Sequence, residues 1–124
     1  MDQTKFFTPQ EARQTLPLVE KIVGDISSAG AELRELSVAI GTHAENDPRV
    51  IKILDDLEAH FVELEDLGCS YKDWNFTMGL VDFPAIIGGE EVCLCWRSDE
   101  EDLLYYHGAE EGYPGRKPIP EHLR

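Results

Sequence analysis

The residues with the most chemical potential lie in one stretch of the chain, from Gly79 to Arg116. His107 is followed closely by Glu110 and Glu111, and Asp82 stands earlier in the same stretch. An imidazole with carboxylates is a ligand set for a divalent metal ion, so these four residues form a candidate metal site. The alternative is a structural His107, hydrogen-bonded to a carboxylate or a carbonyl. The His-x-x-Glu spacing falls at a predicted strand end, where it does not fix both ligands on one face.

A second candidate is the glycine-rich, basic loop from Gly112 to Lys117 in an otherwise acidic chain. Backbone N–H groups beside glycine, together with the guanidinium of Arg116, are suited to a carboxylate or phosphate on a small anionic ligand. The alternative is that Arg116 and Arg97 pair with surplus acids while the glycines only turn the chain. We expect any ligand pocket to be bordered by His107 and Arg116, with Asp82 on its rim.

Three cysteines in a chain without an evident export signal favour reduced thiols over a disulfide framework. Cys93 and Cys95 share one face of a predicted strand, but no second pair completes a zinc motif, so buried, inert thiols are the favoured interpretation. Burial also raises a thiol pKa, which disfavours Cys95 as a nucleophile. Cys69, just beyond a helix end, is expected to react with alkylating reagents first.

Composition limits the classes of function. A chain of 124 residues has the length of a single ordinary domain. Its 11 basic and 25 acidic side chains give a net charge of −14. Such a charge repels phosphate backbones and anionic lipid, so we expect no nucleic acid and no membrane partner. Without a signal peptide or a membrane span, we expect a cytoplasmic protein. Neither a Ser-His-Asp pattern nor a dinucleotide fingerprint is present.

Residues 8–68 are predicted to form a long antiparallel helical hairpin. Thr8 and Glu11 form a capping box, Gly41 is placed to end the first helix, and Asp47 begins the second, which Gly68 terminates. Pro17 removes an N–H and crowds the preceding turn, which predicts a kink or a break near Thr15. Apolar residues at four-three spacing, with Gly30 on the seam, suggest that two hairpins associate as a four-helix homodimer.

Residues 69–124 are predicted to form a small antiparallel sheet of two or three strands and an irregular C-terminal tail. The segment 71–77 is a loop or weak edge strand, and Gly88-Gly89 indicates a hairpin. The turn between Trp96 and Leu103 leaves the register open. A turn centred on Asp99-Glu100 places Val92 opposite His107, and one more residue places Cys93 there.

The motifs together resemble an uncharacterised bacterial family, domain of unknown function 2203. Its pattern is matched over nearly the whole chain at Phe7-Thr8, Glu11-Ala12, Leu16-Pro17, Gly79 to Ala85, Leu94 to Arg97, Tyr106-His107 and Gly112 to Arg116. Two departures are Tyr106 at a Trp position and the segment 98–100. The resemblance implies bacterial origin and a shared fold, and it carries no activity.

The sequence therefore predicts a single α+β domain over residues 1–124, with the helical hairpin packed on the sheet. The leading function is a non-catalytic binding or interaction module. The alternative is a small metal-dependent enzyme that uses Asp82, His107 and Glu110 or Glu111.

Overall fold

The computed structural model describes residues 5–72 and 78–124, and its first helix, α1, spans Pro9–Ile40. The predicted capping box starts this helix: the Glu11 amide donates to Thr8 Oγ1 at 3.1 Å, and the Thr8 amide donates to Glu11 Oε1 at 2.9 Å. The helix ends at Gly41, whose φ of 77° suits glycine. The predicted boundaries of this helix are confirmed.

Pro17 lies inside α1, and the helix runs through it without interruption. The predicted break near Thr15 is therefore wrong, whereas a kink there stays a prediction. Pro17 is exposed, while Leu16 and Val19 beside it are buried. Burial of the neighbouring apolar stripe is a sufficient reason for the helix to continue, because one missing hydrogen bond costs about 3 kcal/mol and several buried side chains offset it.

The second helix, α2, spans Pro48–Leu67 and packs on α1. Asp47 caps its start by accepting the Arg49 amide at 2.8 Å, and Gly68 ends it with φ of 96°. The two helices are joined by a short connection that contains one 3₁₀ turn, Ala44–Asn46. Neither helix combines the length and the apolarity that crossing a membrane requires, within the residues that the structure describes.

An antiparallel sheet follows the helices, with five strands in the order β1-β2-β3-β4-β5. The strands are β1 (Ser70–Tyr71), β2 (Leu80–Ile87), β3 (Glu90–Arg97), β4 (Tyr105–Gly108) and β5 (Lys117–Pro118). The α+β class is confirmed, but the expected two or three strands are too few. The additional strands are two-residue edges, too short to leave an alternating pattern in the sequence. Of the segment 71–77, residues 73–77 lie outside the described residues.

The predicted hairpin between β2 and β3 turns on Gly88 and Gly89, with φ of 60° and 81°. Ile87 stands opposite Glu90, so the loop has two residues, and positive φ at both positions is typical of a type I′ turn. The C-terminal segment is less irregular than expected, because it contains β5 and two 3₁₀ turns, Tyr113–Gly115 and Glu121–Leu123. Ile119 there is fully buried, and its amide donates to the Leu104 carbonyl at 2.8 Å.

The core lies between the helices and one face of the sheet, which we call the inner face. Strand residues in the core are Tyr71, Val81, Phe83, Ala85, Val92, Leu94 and Trp96. Helix residues in the core include Leu16, Val19, Ile22, Val23, Ile26, Ile53, Leu57 and Leu64. Gly79, just before β2, packs closely on α1, since a Cβ there would lie 2.3 Å from Val23 Cγ1. The opposite, outer face of the sheet carries the polar residues.

Candidate functional site

The outer face brings together side chains from three neighbouring strands. Asp82 on β2 stands opposite Cys95 on β3, and Cys93 on β3 stands opposite His107 on β4. Because side chains alternate along a strand, these four residues project from the same face. Of the two registers left open by the sequence, the structure adopts the one that pairs Cys93 with His107.

Asp82 and His107 form a buried polar pair in the centre of this face. His107 Nε2 lies 3.1 Å from Asp82 Oδ1 and 3.2 Å from Oδ2, and the two residues are 2% and 6% exposed, respectively. His107 Nδ1 lies 2.7 Å from the carbonyl oxygen of Gly108. A carbonyl only accepts, so Nδ1 carries a proton, and Nε2 faces a carboxylate. The predicted structural partners of His107, a carboxylate and a carbonyl, are therefore both present.

Glu111 organises the loop that follows β4. Its Oε1 accepts the Gly108 amide at 2.7 Å and lies 3.8 Å from Lys117 Nζ. A Cβ at Gly108 or Gly115 would lie 2.8 Å or 2.7 Å from atoms of Glu111, so both glycines make room for this side chain. Glu111 therefore holds the loop's backbone although it is exposed, as Glu110 is.

Arg116 lies over the same face but has other partners. Its guanidinium contacts Glu100 Oε2 at 2.5 Å and stacks 4.2 Å from the ring centre of Tyr105, two residues from His107 on β4. Its Nε is buried without a hydrogen-bond partner among the described residues. Glu100 also accepts the Arg97 amide at 2.8 Å, so Arg116 ties the C-terminal segment to the turn after β3. This pairing with an acid is the alternative that the sequence left open.

The thiols do not follow the expected order of exposure. Cys69 and Cys95 are 4% and 0% exposed, whereas Cys93 is half-buried. Burial raises the pKa of both Cys69 and Cys95 to about 12, and Asp82 contributes further at Cys95. Burial, followed by the Asp82 charge, also raises the pKa of Cys93. Cys69, which was expected to react first, is buried in the core beyond Gly68, and Cys93, which was expected to be buried, is only half-buried.

A pocket of about 390 Å³ opens beside the Asp82–His107 pair, and we call it the outer pocket. Its lining residues are Lys72, Leu80, Asp82, Cys95, His107 and the segment 109–113. The predicted residues Asp82, His107, Glu110 and Glu111 thus share one pocket, and Arg116 is not among the residues that line it. A groove of about 510 Å³ between α1 and the turn after β3 is larger. The charged residues that line it are all acids: Glu20, Asp99, Glu100 and Glu101.

Neither Cys93 nor Cys95 of this face was assigned to a site from the sequence, and Cys93 stands directly opposite His107. One ligand atom from each of Asp82, Cys93 and His107 lies within 4.8 Å of the others. The alternation of β3 already indicated that Cys93 shares a face with Cys95. The missing information was the register of β4, which decides whether Cys93 or Val92 stands beside the imidazole.

Comparison with known proteins gives a family and no activity. A family model described as "Uncharacterized conserved protein (DUF2203)" matches residues 5–119. Neither the curated proteins nor the solved structures gave a match to the chain. The matched range includes both helices, all five strands and every residue of the outer pocket. It leaves out the last residues of the C-terminal segment, 120–124.

Proposed function

Since the chain belongs to the DUF2203 family of uncharacterized conserved proteins, whose description states no activity, we propose a function from the geometry of its outer face. The protein is a non-catalytic binding module, and its ligand occupies the outer pocket. The observation that carries this proposal is the buried Asp82–His107 pair beside a pocket of ligand size. Burying such a pair usually costs stability compared with apolar residues, so function is a reason to keep it.

Binding rather than covalent chemistry is supported by the groups beside the pocket. A thiol whose pKa lies at about 12 carries almost no thiolate near neutral pH, so Cys95 is a poor nucleophile. Both ring nitrogens of His107 already face oxygen atoms, at 2.7 Å and 3.1 Å. A general base needs a nitrogen lone pair within reach of the reacting proton, and neither nitrogen offers one in this arrangement.

The pocket's lining combines the Lys72 ammonium group with carboxylates of Asp82, Glu110 and Glu111, which suits a small polar ligand that carries both an anionic and a cationic group. Lys72 supplies an ammonium group on the wall, in place of Arg116, which pairs with Glu100. Glu110 supplies a carboxylate, and Leu80 with Ala109 supplies apolar surface. A zwitterion satisfies both charged groups, because its carboxylate pairs with Lys72 and its ammonium group with Glu110.

The alternative, a metal-dependent enzyme that uses Asp82, His107 and Glu110 or Glu111, has less support. The Glu111 carboxylate is engaged by the Gly108 amide, and Glu110 is exposed on the loop. For a catalytic metal site made of these residues, at least one of the two glutamates has to turn toward His107. No hydrogen bond in the described residues favours that rotation.

The test is chemical-shift mapping of the ¹⁵N-labelled protein with glycine, acetate and inorganic phosphate as separate probes at millimolar concentration. We expect shifts concentrated at the amides of residues 80–82 and 107–113. Lys72→Gln should weaken the response to acetate and phosphate, while Arg49→Gln, a matched change in the groove at the far end of the hairpin, should leave it unchanged. Shifts that are absent for all three probes, or spread evenly over the surface, would contradict the proposal.

A further inference from the structure

We propose that Asp82, Cys93 and His107 bind a transition metal ion of the zinc class. This inference rests on the proposed function, because it specifies one ligand of the binding module, a metal ion bound at the edge of the outer pocket. Three neighbouring strands supply one ligand each, and β3 lies between the other two. A site on paired strands is more rigid than one on loops, which favours a defined coordination geometry.

The distances fit a metal after one small movement. Ligand atoms at about 2.1 Å from a tetrahedral ion are separated from one another by roughly 3.4 Å. His107 Nε2 and Asp82 Oδ1 are already 3.1 Å apart, and all three ligand atoms lie within 4.8 Å of one another. The Cys93 sulfur therefore has to approach by up to about 1.4 Å, which a side-chain rotation can supply. Cys93 is half-buried, so this rotation disturbs little packing.

The donor set selects the class of metal. Thiolate and imidazole with one carboxylate suit zinc, cobalt, nickel or copper, whereas magnesium and calcium prefer oxygen donors alone. Binding releases the thiol proton of Cys93 to solvent, together with any proton on His107 Nε2, and forms one bond from the ion to each ligand atom. A divalent ion with two anionic ligands and a neutral imidazole has no net charge, which suits a buried site.

The surroundings of His107 resemble the outer shell of a metal site. Its Nδ1–H donates to the Gly108 carbonyl at 2.7 Å, which fixes the tautomer and directs Nε2 toward Asp82. The Gly108 amide is in turn held by Glu111 at 2.7 Å. Metal-bound histidines usually have such a partner on the other ring nitrogen. The three protein ligands leave a fourth position of a tetrahedron for water or a ligand from the pocket.

Without a metal, Cys93 has no part in the site, because a proton on Nε2 satisfies the His107–Asp82 pair alone. The role of Cys93 therefore separates a metal site from a simple buried pair. The experiment titrates Co²⁺ into protein that carries no polyhistidine tag and has been treated with a chelator. We expect one equivalent to bind with a thiolate-to-cobalt charge-transfer band, and Zn²⁺ to displace it.

Cys93→Ala should abolish the band and weaken Co²⁺ binding by about 100-fold or more, since a direct ligand is worth at least as much as an outer-shell partner. Cys69→Ala is the matched control, a thiol that does not line the outer pocket, and it should keep the band. Absence of the band in wild-type protein, or its persistence in Cys93→Ala, would overturn the inference. Circular dichroism and thermal unfolding establish that both variants fold, and Zn²⁺ should raise the Tm of Cys69→Ala but not that of Cys93→Ala.

The two proposals fail separately. If glycine, acetate or phosphate shifts the amides of the outer pocket in metal-free protein while Co²⁺ does not bind, the metal site is refuted and the binding module stands. If Co²⁺ binds with the expected band while the organic probes give no response, the metal site stands and the small polar ligand is refuted. If neither binds, both proposals are refuted.

Discussion

At the scale of single residues, the Asp82–His107 pair dominates the outer face because each partner is buried and depends on the other. Asp82 has one buried neighbour that can carry positive charge, and His107 has one buried carboxylate. Removing one member of such a pair leaves the other buried without a hydrogen-bond partner, because water does not readily reach the site to take the place of the missing group. The pair is therefore a requirement of the fold as well as part of the candidate site.

We predict that Asp82→Ala lowers the free energy of unfolding by about 3–5 kcal/mol, the usual cost of breaking a buried pair. Asp82→Asn should cost less, because an amide N–H can donate to Nε2 of a neutral imidazole whose Nδ1 donates to Gly108. Urea unfolding of the two variants measures the difference. Equal losses for Ala and Asn would show that the hydrogen bond to His107 contributes little.

Thiol reactivity provides a second residue-scale prediction, which replaces the one made from sequence. At pH 8 a thiol with a pKa of about 12 has a thiolate fraction on the order of 10⁻⁴, so Cys69 and Cys95 should resist alkylation in the native state. Cys93 should be labelled first because it is half-buried. Its pKa is raised, so its labelling rate should climb as the pH rises from 7 to 9.

Mass spectrometry after iodoacetamide treatment identifies the labelled residue, and Cys93→Ala provides the control that should remain largely unmodified. Labelling of Cys69 before Cys93 without denaturant would contradict this order. If the proposed metal site is correct, added Zn²⁺ should also protect Cys93, because a coordinated sulfur is no longer free to attack the reagent.

At the scale of elements, α1 has an unusual feature, a proline inside a continuous helix. Pro17 is exposed, so replacing it changes backbone hydrogen bonding without removing a core contact. Pro9 in the same helix stands at its first turn, where the missing N–H would have no partner in any case. The two prolines thus form a matched pair that differs in helical position.

We predict that Pro17→Ala raises the free energy of unfolding by about 2 kcal/mol. Restoring an interior N–H contributes up to about 3 kcal/mol, and the greater freedom of the unfolded chain offsets about 0.4–1 kcal/mol of that. Pro9→Ala should change stability by less than about 1 kcal/mol in either direction. Thermal and urea unfolding of both variants provide the measurement, and a destabilised Pro17→Ala would indicate that the proline shapes a kink which the packing requires.

At the scale of the whole molecule, the hairpin presents apolar side chains that the single chain leaves uncovered. Ile51, Leu54 and Val62 on α2 are each about 45% exposed, and their spacing places them on one side of the helix. Gly30, which the sequence analysis placed on a dimer seam, is instead buried within the single chain. The expectation of a homodimer therefore rests on the α2 stripe formed by Ile51, Leu54 and Val62.

We predict that two copies associate through this α2 stripe into a four-helix assembly with two-fold symmetry. Sedimentation equilibrium at tens of micromolar protein should give twice the chain mass. Leu54→Glu should shift the equilibrium to monomer, while Leu18→Glu should not, although the two leucines are 46% and 48% exposed. A monomer in the wild-type protein, or equal effects of the two substitutions, would refute this interface.

Local chemistry explains why the helices could be predicted from the sequence. The capping box at Thr8, the aspartate cap at Asp47 and the glycines at 41 and 68 each act within a few residues of their own position. The hairpin at Gly88-Gly89 is local in the same sense. Of the two-residue strands, Ser70–Tyr71 overlaps the start of the segment 71–77, for which a loop or a weak edge strand was expected, whereas the strand at Lys117 was not expected. Both exist only through pairing with distant strands, so the sequence pattern around them is weak.

The sequence by itself determined the α+β class and the helix ends, and it led us to expect Asp82 and His107 near each other. Only the tertiary structure decided that Cys93 faces His107, that Arg116 pairs with Glu100, and that Glu111 holds the Gly108 amide. The physical reason is that strand alternation fixes which residues of one strand share a face, but not which residue of the next strand lies opposite. A one-residue change in the turn after Trp96 would have moved the imidazole to the other face of the sheet, and that register is set by packing across the whole core.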